Sequence, residues 1–333
     1  MRKFINDPER FVDEVIEGVV LAHGDRLRRL KEEPRAVVRV DCPVSGRVAI
    51  ATGGGSGHFP FFLGYVGKGL LDGCAIGNLF ASPSAYEMLA VTRAIDGGEG
   101  VLYLYGNYGG DRLNFDLAAE LAKAADIPVE TVLAADDVAS APLDRMQDRR
   151  GIAGIMFGYK VAGACAARGG SLGTVANIAR RTLSRTRSLG VALSACVLPT
   201  VGRPNFDLPE GEMEIGMGIH GEPGVRRGRL VPGDAVTDDL VDLILNDLRP
   251  PAGSELAVLV NGLGSTPAEE LYILYRRAHQ RLMDDGFKIH RAYVGEFVTS
   301  LEMAGASISI LQLDSGLADY LDAAADPPLT MRA

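Results

Sequence analysis

The most informative segment for the fold of this chain is Val48-Ala49-Ile50-Ala51-Thr52-Gly53-Gly54-Gly55-Ser56-Gly57-His58. Its apolar start predicts a strand over residues 48–51, and its glycines predict a turn after that strand. Glycine allows positive φ values and lets a backbone approach a ligand closely, and open α/β sheets bind ligands beyond the carboxyl ends of their strands. The stretch therefore predicts a functional histidine at a strand end. The alternative is a plain connection between a strand and a helix.

The rest of the chain follows an α/β pattern, in which strand-like runs alternate with helical ones. In the first half this pattern predicts strands over 48–51, 101–105 and 129–134, and helices over 85–95, 115–125, 160–167 and 169–189. In the second half it predicts strands over 191–197, 212–219, 256–261, 289–294 and 307–313, helices over 234–248 and 267–285, and surface connections at 226–233 and 250–253. A chain of 333 residues is too long for one typical core. We therefore expect two domains, each a β-sheet flanked by helices, over residues 1–186 and 187–333.

The composition narrows the class of protein. A hydrophobic content of 47% with 23% charged residues is that of a soluble globular protein, and 43 acidic against 34 basic residues give a net charge of −9. This charge argues against binding to nucleic acid or to an anionic membrane. The four cysteines are widely spaced without a C-x-x-C motif, which predicts neither a zinc site nor a disulfide framework. The sequence also has no signal-peptide core and no apolar run of about 18 residues, so we expect a cytoplasmic protein.

A second unusual segment, Gly216 to Gly224, places His220 among four glycines with a glutamate two residues later. Glycines at such density remove packing side chains and open the backbone to a ligand. The pattern favours a ligand-binding role for His220 over that of a structural histidine. His23, His279 and His290 lie in ordinary helical or charged contexts, which indicate structural or surface roles.

A third segment, Tyr105 to Phe115, again passes from a strand end through glycines into a helix, and it carries Asp111. Taken alone, Asp111 is better explained as the N-cap of a helix that begins at Arg112. Taken together, two histidines and one aspartate on glycine-rich loops between strands and helices are the components of a nucleophile and acid/base site.

Nucleotide-binding motifs fail in this sequence. Counted from Gly53, the sixth position of a G-x-G-x-x-G fingerprint is His58, and no acidic residue follows at the spacing of a ribose ligand. A P-loop fails at Gly67-Lys68-Gly69, because Phe62 occupies the place of its leading glycine. These failures nearly exclude a dinucleotide-dependent oxidoreductase. If the chain takes part in phosphate transfer, another protein holds the donor.

A set of motifs spans nearly the whole chain: Asn6-Asp7-Pro8, Gly53–His58, Ser82-Pro83, Asp96–Leu102, Asn107-Tyr108, Gly110-Asp111, Asn114-Phe115, Asp136–Val138, Arg149–Gly151, Gly218–Gly224, Asn261–Gly264, Thr266-Pro267, Glu270–Tyr272 and Thr299–Met303. With these motifs the chain resembles the substrate-binding K subunit, or K domain, of dihydroxyacetone kinases. The resemblance implies a homodimeric α/β protein of two domains that binds a short-chain ketose covalently.

The resemblance also implies roles for three residues. His220 adds through a ring nitrogen to the substrate carbonyl and gives a hemiaminal, a reaction that an aldehyde or ketone accepts and a polyol does not. Asp111 takes the proton from the terminal hydroxyl group as that oxygen attacks phosphorus. His58 hydrogen-bonds the substrate and helps to form the adduct.

Further contacts follow from the same resemblance. The expected substrate-binding residues are Gly54, Gly55, Ser56, Gly57, Ser82 and Gly106. No metal or cofactor is expected on this chain. The phosphate donor is expected on a separate L subunit, as ATP or as tightly held ADP with magnesium.

Two departures from the family pattern bear on the substrate. Phe59 stands where a glutamate usually follows the histidine, and Gly106 stands where a lysine commonly approaches the substrate. A glycine at position 106 is expected to free volume for a four-carbon ketose such as erythrulose, or for another hydroxyketone. The departures also keep open the alternative of a ketose-binding sensor or co-activator of a transcription regulator, without kinase activity.

Overall fold

The chain forms two six-stranded sheets, each flanked by helices, which confirms the predicted α/β class. The computed structural model describes residues 3–328. The strands of the first sheet are β1 (Leu27–Arg29), β2 (Ala36–Arg39), β3 (Ala49–Ser56), β4 (Gly73–Leu79), β5 (Val101–Gly106) and β6 (Val129–Ala134), in the spatial order β1-β2-β4-β3-β5-β6. The helices of this half are α1 (Phe11–Ala22), α2 (Ala85–Ile95), α3 (Gly109–Lys123), α4 (Ile155–Ala167) and α5 (Leu172–Ser184).

The second half has its own sheet. Its strands are β7 (Thr186–Ala192), β8 (Glu212–Ile215), β9 (Arg226–Arg229), β10 (Glu255–Gly262), β11 (Lys288–Gly295) and β12 (Gly305–Gln312), in the order β11-β10-β12-β7-β8-β9. Its helices are α6 (Gly233–Leu248), α7 (Ala268–Asp284) and α8 (Ser315–Leu321). Only β10 and β11 are parallel neighbours in this sheet, and its other pairs are antiparallel.

Strands β4, β3, β5 and β6 of the first sheet run parallel, so their carboxyl ends meet at one edge. All six residues of β5 are buried, as expected for a continuous apolar strand covered on both faces. The connections that leave this edge carry the residues singled out from the sequence, which places the candidate site there.

The predicted glycine turn at residues 53–57 is wrong, because β3 continues through the glycines as far as Ser56. A side chain at Gly53 would place Cβ 2.5 Å from the carbonyl oxygen of Ala75, and one at Gly54 would collide with the ring of Phe62. The glycines therefore let neighbouring groups pack tightly on the strand. Only Gly57 has a left-handed φ, of +104°.

The predicted helix over 169–189 is too long, because α5 ends at Ser184 and β7 begins at Thr186. For the same reason the strand predicted over 191–197 lies several residues too late. Arg187 is buried within β7, and its guanidinium pairs with Asp247 on α6. A charge-paired arginine can lie inside a strand, which hydrophobic periodicity does not reveal.

Other boundaries differ in ways that local chemistry explains. Strand β8 ends at Ile215, short of the predicted end at 219, because Gly216 takes a φ of +82°. Residues 226–229, predicted as a surface connection, form the exposed edge strand β9. Strands β1, β2 and β4 were not predicted, since two of them are short and the third contains glycines.

The division of the chain at residue 186 stays a prediction. The first strand of the second sheet begins at Thr186, but Leu317 of α8 belongs to the same buried cluster as Phe157 of α4. The C-terminal helix thus packs with elements of the first half. Within residues 3–328, no helix is both long and apolar enough to span a membrane.

Candidate active site

Three sequence-predicted residues meet at the carboxyl edge of the first sheet. His58 follows β3 and Asp111 lies just after β5, while His220 arrives from the second sheet on the loop between β8 and β9. The two histidines touch, with 3.1 Å between their Nε2 atoms. His220 is also close enough to Asp111 for its charge to act on that carboxyl group.

His58 is buried and held on two sides. Its Nδ1 lies 2.8 Å from the carbonyl oxygen of Thr299, and its ring stacks on Phe80 with 4.9 Å between the centroids. Burial lowers the pKa of His58 to about 3, and the neighbouring His220 acts in the same direction. His58 is therefore neutral at physiological pH.

His220 is held mainly by Glu222. The Glu222 carboxylate accepts a hydrogen bond from the backbone N–H of His220 at 3.0 Å, and its other oxygen lies 3.0 Å from Nδ1 of the same residue. The ring edges of Phe80 and Tyr108 flank the imidazole, with centroid separations of 5.3 and 4.9 Å. Asn205 donates to the His220 carbonyl oxygen. A quarter of the His220 side chain remains exposed.

The charge of Glu222 is well stabilised. Burial raises its pKa, but the hydrogen bond and charge of His220, together with Arg150, outweigh burial and lower the pKa to about 2. Glu222 is thus a carboxylate that only accepts hydrogen bonds.

These partners assign the protons of the two rings. A carbonyl oxygen and a carboxylate both accept, so Nδ1 of His58 and Nδ1 of His220 each carry a hydrogen. The Nε2 atoms that face each other then have one proton to share, because two bare lone pairs would repel. When that proton leaves, Nε2 of His220 presents a lone pair, which is the form of imidazole that attacks a carbonyl carbon.

Asp111 differs from the histidines because part of it has no partner. It is buried in the first turn of α3, and its Oδ1 accepts no hydrogen bond within residues 3–328. Burial raises the pKa of Asp111 to about 6, against the opposing effects of the Ser82 hydroxyl and of His220. A buried carboxylate with a free oxygen and a pKa near the working pH suits a general base.

The alternative reading of Asp111 as a helix N-cap is wrong. Helix α3 begins at Gly109 with Tyr108 at the N-cap, so Asp111 is the third helical residue. The helix starts six residues before the predicted 115, and its first two residues are the exposed Gly109 and Gly110.

The predicted substrate-binding glycines shape the wall beside His58. A Cβ at Gly55 would lie 2.5 Å from the amide nitrogen of Ala81, and one at Gly57 would lie 2.6 Å from the ring of Phe80. Gly54 is packed under Phe62 in the same way. Gly55 and Gly57 thus let Phe80 reach His58. Direct contact with a substrate stays a prediction for all three glycines.

The two predicted serines lie at the ends of neighbouring strands. Ser56 is the last residue of β3, and its carbonyl oxygen accepts from the backbone N–H of Phe80. Ser82 follows β4, accepts a hydrogen bond from Asn114 at 3.2 Å and lies beside Asp111. Ser82 is thus placed to contact whatever approaches Asp111, whereas Ser56 is placed only near His58.

Gly106, the last residue of β5, does not open free space. A Cβ at this position would lie 3.1 Å from the ring of Tyr108, the same ring whose edge packs on His220. Tyr108 thus fills the volume that the sequence suggested for a larger ketose. Gly106 acts on the site through Tyr108.

Phe59 faces a neighbouring cavity. This cavity of about 630 Å³ is bounded by the N-terminal residues, α1 and the segment after β3, and its lining includes Phe59 and His58 but neither His220 nor Asp111. The Phe59 carbonyl oxygen accepts a hydrogen bond from the Thr299 hydroxyl at 2.8 Å. The departure at position 59 therefore changes the surroundings of His58 without lining the space between His220 and Asp111.

A segment between β11 and β12 joins both histidine loops. The backbone N–H of Leu301 donates a hydrogen bond to the Gly57 carbonyl oxygen, and the Ser300 hydroxyl donates one to the Ile219 carbonyl oxygen. The Thr299 carbonyl oxygen accepts a hydrogen bond from Nδ1 of His58. One segment of the second sheet thus fixes the loop before each histidine.

Sequence reasoning missed three residues of the site. Glu222 was noticed but given no role, although its spacing from His220 was a usable signal. Tyr108 belongs to a recognised motif without an assigned role, and Phe80 had no signal at all. Within the described chain, no group of three or more His, Cys, Asp or Glu side chains could hold a metal ion.

The Dak1 domain family matches residues 17–329. The chain belongs to this family. The resemblance stated from the sequence motifs is therefore confirmed.

Two relatives of this Dak1 chain illustrate the family. The dihydroxyacetone-binding subunit DhaK of the PTS-dependent dihydroxyacetone kinase 2 of Listeria innocua is 43% identical over 328 residues, which cover 98% of each chain. The L-erythrulose kinase of Pectobacterium atrosepticum is 44% identical over 332 residues, which cover 98% of this chain and 56% of the relative. The Dak1 chain thus spans the whole of the first relative but only about half of the second.

Two solved structures match the Dak1 chain closely. The dihydroxyacetone kinase of C. freundii, in complex with AMP-PNP and Mg²⁺, has a TM-score of 0.88 and 36% identity over 100% of this chain and 63% of that chain. The dihydroxyacetone kinase operon co-activator Dha-DhaQ has a TM-score of 0.87 and 31% identity over 94% of this chain and 96% of that chain.

Proposed function

We propose that this chain is the ketose-binding subunit of a hydroxyketone kinase. One observation carries the proposal: His220, with its Nδ1 on Glu222 and its Nε2 on His58, lies near Asp111, whose Oδ1 has no hydrogen-bond partner within residues 3–328. Such an arrangement supplies a nucleophile, a proton carrier and a base at one strand edge. Dihydroxyacetone kinase subunits and erythrulose kinases among the relatives support the same reaction class.

The first step is formation of a hemiaminal. Nε2 of His220 attacks the ketose carbonyl carbon, and the electron pair of the C=O bond moves to oxygen. The proton shared by the two Nε2 atoms passes through His58 to that oxygen, which becomes a hydroxyl group. His220 is left as a cation with hydrogen on Nδ1, beside the Glu222 carboxylate, so charge and protons balance.

The second step is phosphoryl transfer to the anchored ketose. The Asp111 carboxylate accepts the proton of the terminal hydroxyl as the hydroxyl oxygen attacks phosphorus, and the bond between that phosphorus and the donor oxygen breaks, with the electron pair left on the donor. The phosphate donor belongs to a partner L subunit, which carries ATP or ADP with Mg²⁺. Support for a separate donor comes from the absence of nucleotide motifs in the sequence and from the AMP-PNP and Mg²⁺ in the longer C. freundii kinase. That this chain is a homodimer stays a prediction.

The substrate class is a short ketose with a terminal hydroxyl group. Relatives named for dihydroxyacetone and for either enantiomer of erythrulose match at similar identity, so both compounds belong in the first panel. Glycerol and erythritol belong there as controls, since they lack the carbonyl group that His220 needs.

The experiment that tests the proposal mixes the purified chain with an L subunit, ATP, Mg²⁺ and each compound of the panel, and follows the ketose phosphate. We expect turnover with a ketose and none with a polyol. No turnover of any ketose, or equal turnover of a polyol, would contradict the proposal. For phosphoenolpyruvate-dependent systems, the assay is repeated with the phosphotransferase proteins as donor.

A second candidate is a ketose-binding co-activator without kinase activity. It is favoured by the match to Dha-DhaQ, a chain of nearly equal length. The two candidates differ at Asp111, because a sensor needs the covalent anchor but not the base. Ketose binding without turnover, in the presence of an L subunit that is active with another K subunit, would favour the co-activator.

A further inference from the structure

Arg150 lies behind Glu222, outside the residues that the reaction itself requires. It follows β6, so it belongs to the same edge of the first sheet as His58 and Asp111. Its side chain is mostly buried, and Nη1 lies 3.7 Å from Oε2 of Glu222. Arg150 thus places a positive charge on the far side of the carboxylate that holds His220.

The Arg150 guanidinium is fixed by two other groups. Asp137 Oδ2 accepts from Nε at 3.0 Å and lies 2.8 Å from Nη2, and the Gly216 carbonyl oxygen accepts from Nη2 at 3.2 Å. A guanidinium bound in this way cannot rotate away from Glu222. Asp137 comes from the first sheet and Gly216 from the His220 loop, so Arg150 joins the two halves of the site.

Gly218 makes room for this contact. A Cβ at position 218 would collide with both Oε2 of Glu222 and Nη1 of Arg150. Gly218 has no left-handed φ, so conformational freedom does not explain it. The glycine instead clears the space in which the arginine and the glutamate meet.

We infer that Arg150 is a positioning residue for His220 and acts through Glu222. The inference rests on the proposed function, in which His220 is the covalent anchor. Arg150 fixes the Glu222 carboxylate so that it accepts from both the backbone N–H and Nδ1–H of His220. With Nδ1 holding its own hydrogen, Nε2, which faces His58, is the nitrogen left to attack the ketose carbonyl carbon.

Charge makes this inference testable by pH. Arg150 and Glu222 carry opposite charges on the side of the site that holds His220, so their removal should shift the pH dependence of ketose binding in opposite directions. The remaining titratable groups that face these three residues are Asp137, Asp111, His58 and Tyr108. None of them changes in the variants below.

The experiment measures dihydroxyacetone affinity by calorimetry from pH 5 to 9 in Arg150→Met, Glu222→Gln and the control Arg227→Met. Arg227 forms an exposed ion pair with Glu212 on β8. We expect binding to weaken roughly 10-fold in Arg150→Met, the lower end for loss of an outer partner of a functional histidine. On acidification, binding should be lost at a higher pH in Arg150→Met and at a lower pH in Glu222→Gln, with Arg227→Met unchanged.

A second readout needs no ketose. In ligand-free protein labelled with ¹⁵N-histidine, NMR reports which ring nitrogen of His220 carries hydrogen, and His220→Ala identifies its signals. We expect hydrogen on Nδ1 of His220 in the wild type, and a smaller fraction of Nδ1-bound hydrogen in Arg150→Met and Glu222→Gln.

A wild-type tautomer and a wild-type pH profile in Arg150→Met would overturn the inference. If that variant does not fold, the same result in Arg150→Lys would overturn it, because a lysine cannot bridge Asp137, Gly216 and Glu222 together. Failure of the wild type to bind any ketose would instead contradict the proposed function, and the tautomer readout would still test the link from Arg150 to His220.

Discussion

The site has an anchor end, formed by His220 and Glu222, and a base end, formed by Asp111. The two ends differ in how many of their polar atoms have hydrogen-bond partners within the protein. At the anchor end, both ring nitrogens of His220 and both oxygens of Glu222 have partners within the chain. At the base end, Asp111 is more deeply buried than His220 or Glu222, yet one of its oxygens has no partner in residues 3–328. The anchor is thus fixed before substrate arrives, whereas the base is left one hydrogen bond short.

This difference follows from the two tasks. A nucleophile must be held in one tautomer and orientation, so its partners are supplied by the protein. A base must meet a substrate hydroxyl group, so its partner must come from outside, and the unsatisfied oxygen costs stability until then. The comparison predicts that changes at the two ends will have separable effects.

The largest expected effect is that of Asp111→Asn on turnover. An amide cannot take the hydroxyl proton, so we expect kcat with an L subunit and ATP to fall by about 10²- to 10⁴-fold. Ketose affinity should change little, because the anchor end is untouched. Asp116→Asn, at an exposed position of the same helix, is the matched control and should keep full turnover. Retained turnover in Asp111→Asn would refute the role of the base.

His58→Gln should act at the other end. Without the second imidazole, the proton cannot pass to the ketose oxygen, and we expect the rate of adduct formation to fall by about 10²-fold. Rapid mixing with a ketose, followed by calorimetric or spectroscopic detection of binding, measures that rate. His279→Gln, at an exposed position on α7, should form the adduct at the wild-type rate. An unchanged rate in His58→Gln would leave His58 as a packing residue only.

Asp111→Asn should also stabilise the protein. Burial raises the pKa of Asp111 from 3.8 in the unfolded chain to about 6 in the folded protein. Its charge therefore opposes folding fully above about pH 6, and this cost is absent below pH 3.8. We expect a gain on the order of 2 kcal/mol at pH 8 that vanishes as the pH falls towards 4. Urea unfolding of the wild type and the variant at both pH values measures it. A loss of stability at pH 8 would mean that the carboxylate is satisfied after all.

The smallest expected effect comes from Gly106→Ala. The added Cβ presses on the Tyr108 ring and through it on His220, so ketose affinity should fall a few-fold while the fold is retained. Gly173→Ala on α5 meets no atom within 4 Å and should leave affinity unchanged. Tighter binding of erythrulose in Gly106→Ala would instead show that Tyr108 had been limiting the size of the substrate.

The sequence predicted the α/β class, the family and the three residues that meet in the site. It succeeded there because His58, His220 and Asp111 stand in glycine-rich segments next to recognisable strands, a pattern with few structural uses. Helices α6 and α7 were also predicted to within a residue or two, since their apolar periodicity is regular.

The sequence failed where tertiary contacts override local preference. The glycines of β3 predicted a turn, but Phe62 and Ala75 from later segments of the chain pack against them in the strand. Glu222 and Arg150 are charged residues whose meeting depends on the approach of two sheets, which no local pattern encodes. The volume at Gly106 was misjudged because the chain folds Tyr108 back into it.

The most direct test of the account is ¹³C NMR of dihydroxyacetone labelled at its carbonyl carbon, bound to protein labelled with ¹⁵N-histidine. We predict a tetrahedral carbon signal with a one-bond coupling to ¹⁵N in the wild type, and no coupled signal in His220→Ala. A bound ketone signal without such coupling, or a coupled signal that persists in His220→Ala, would contradict the assignment of His220 as the covalent anchor.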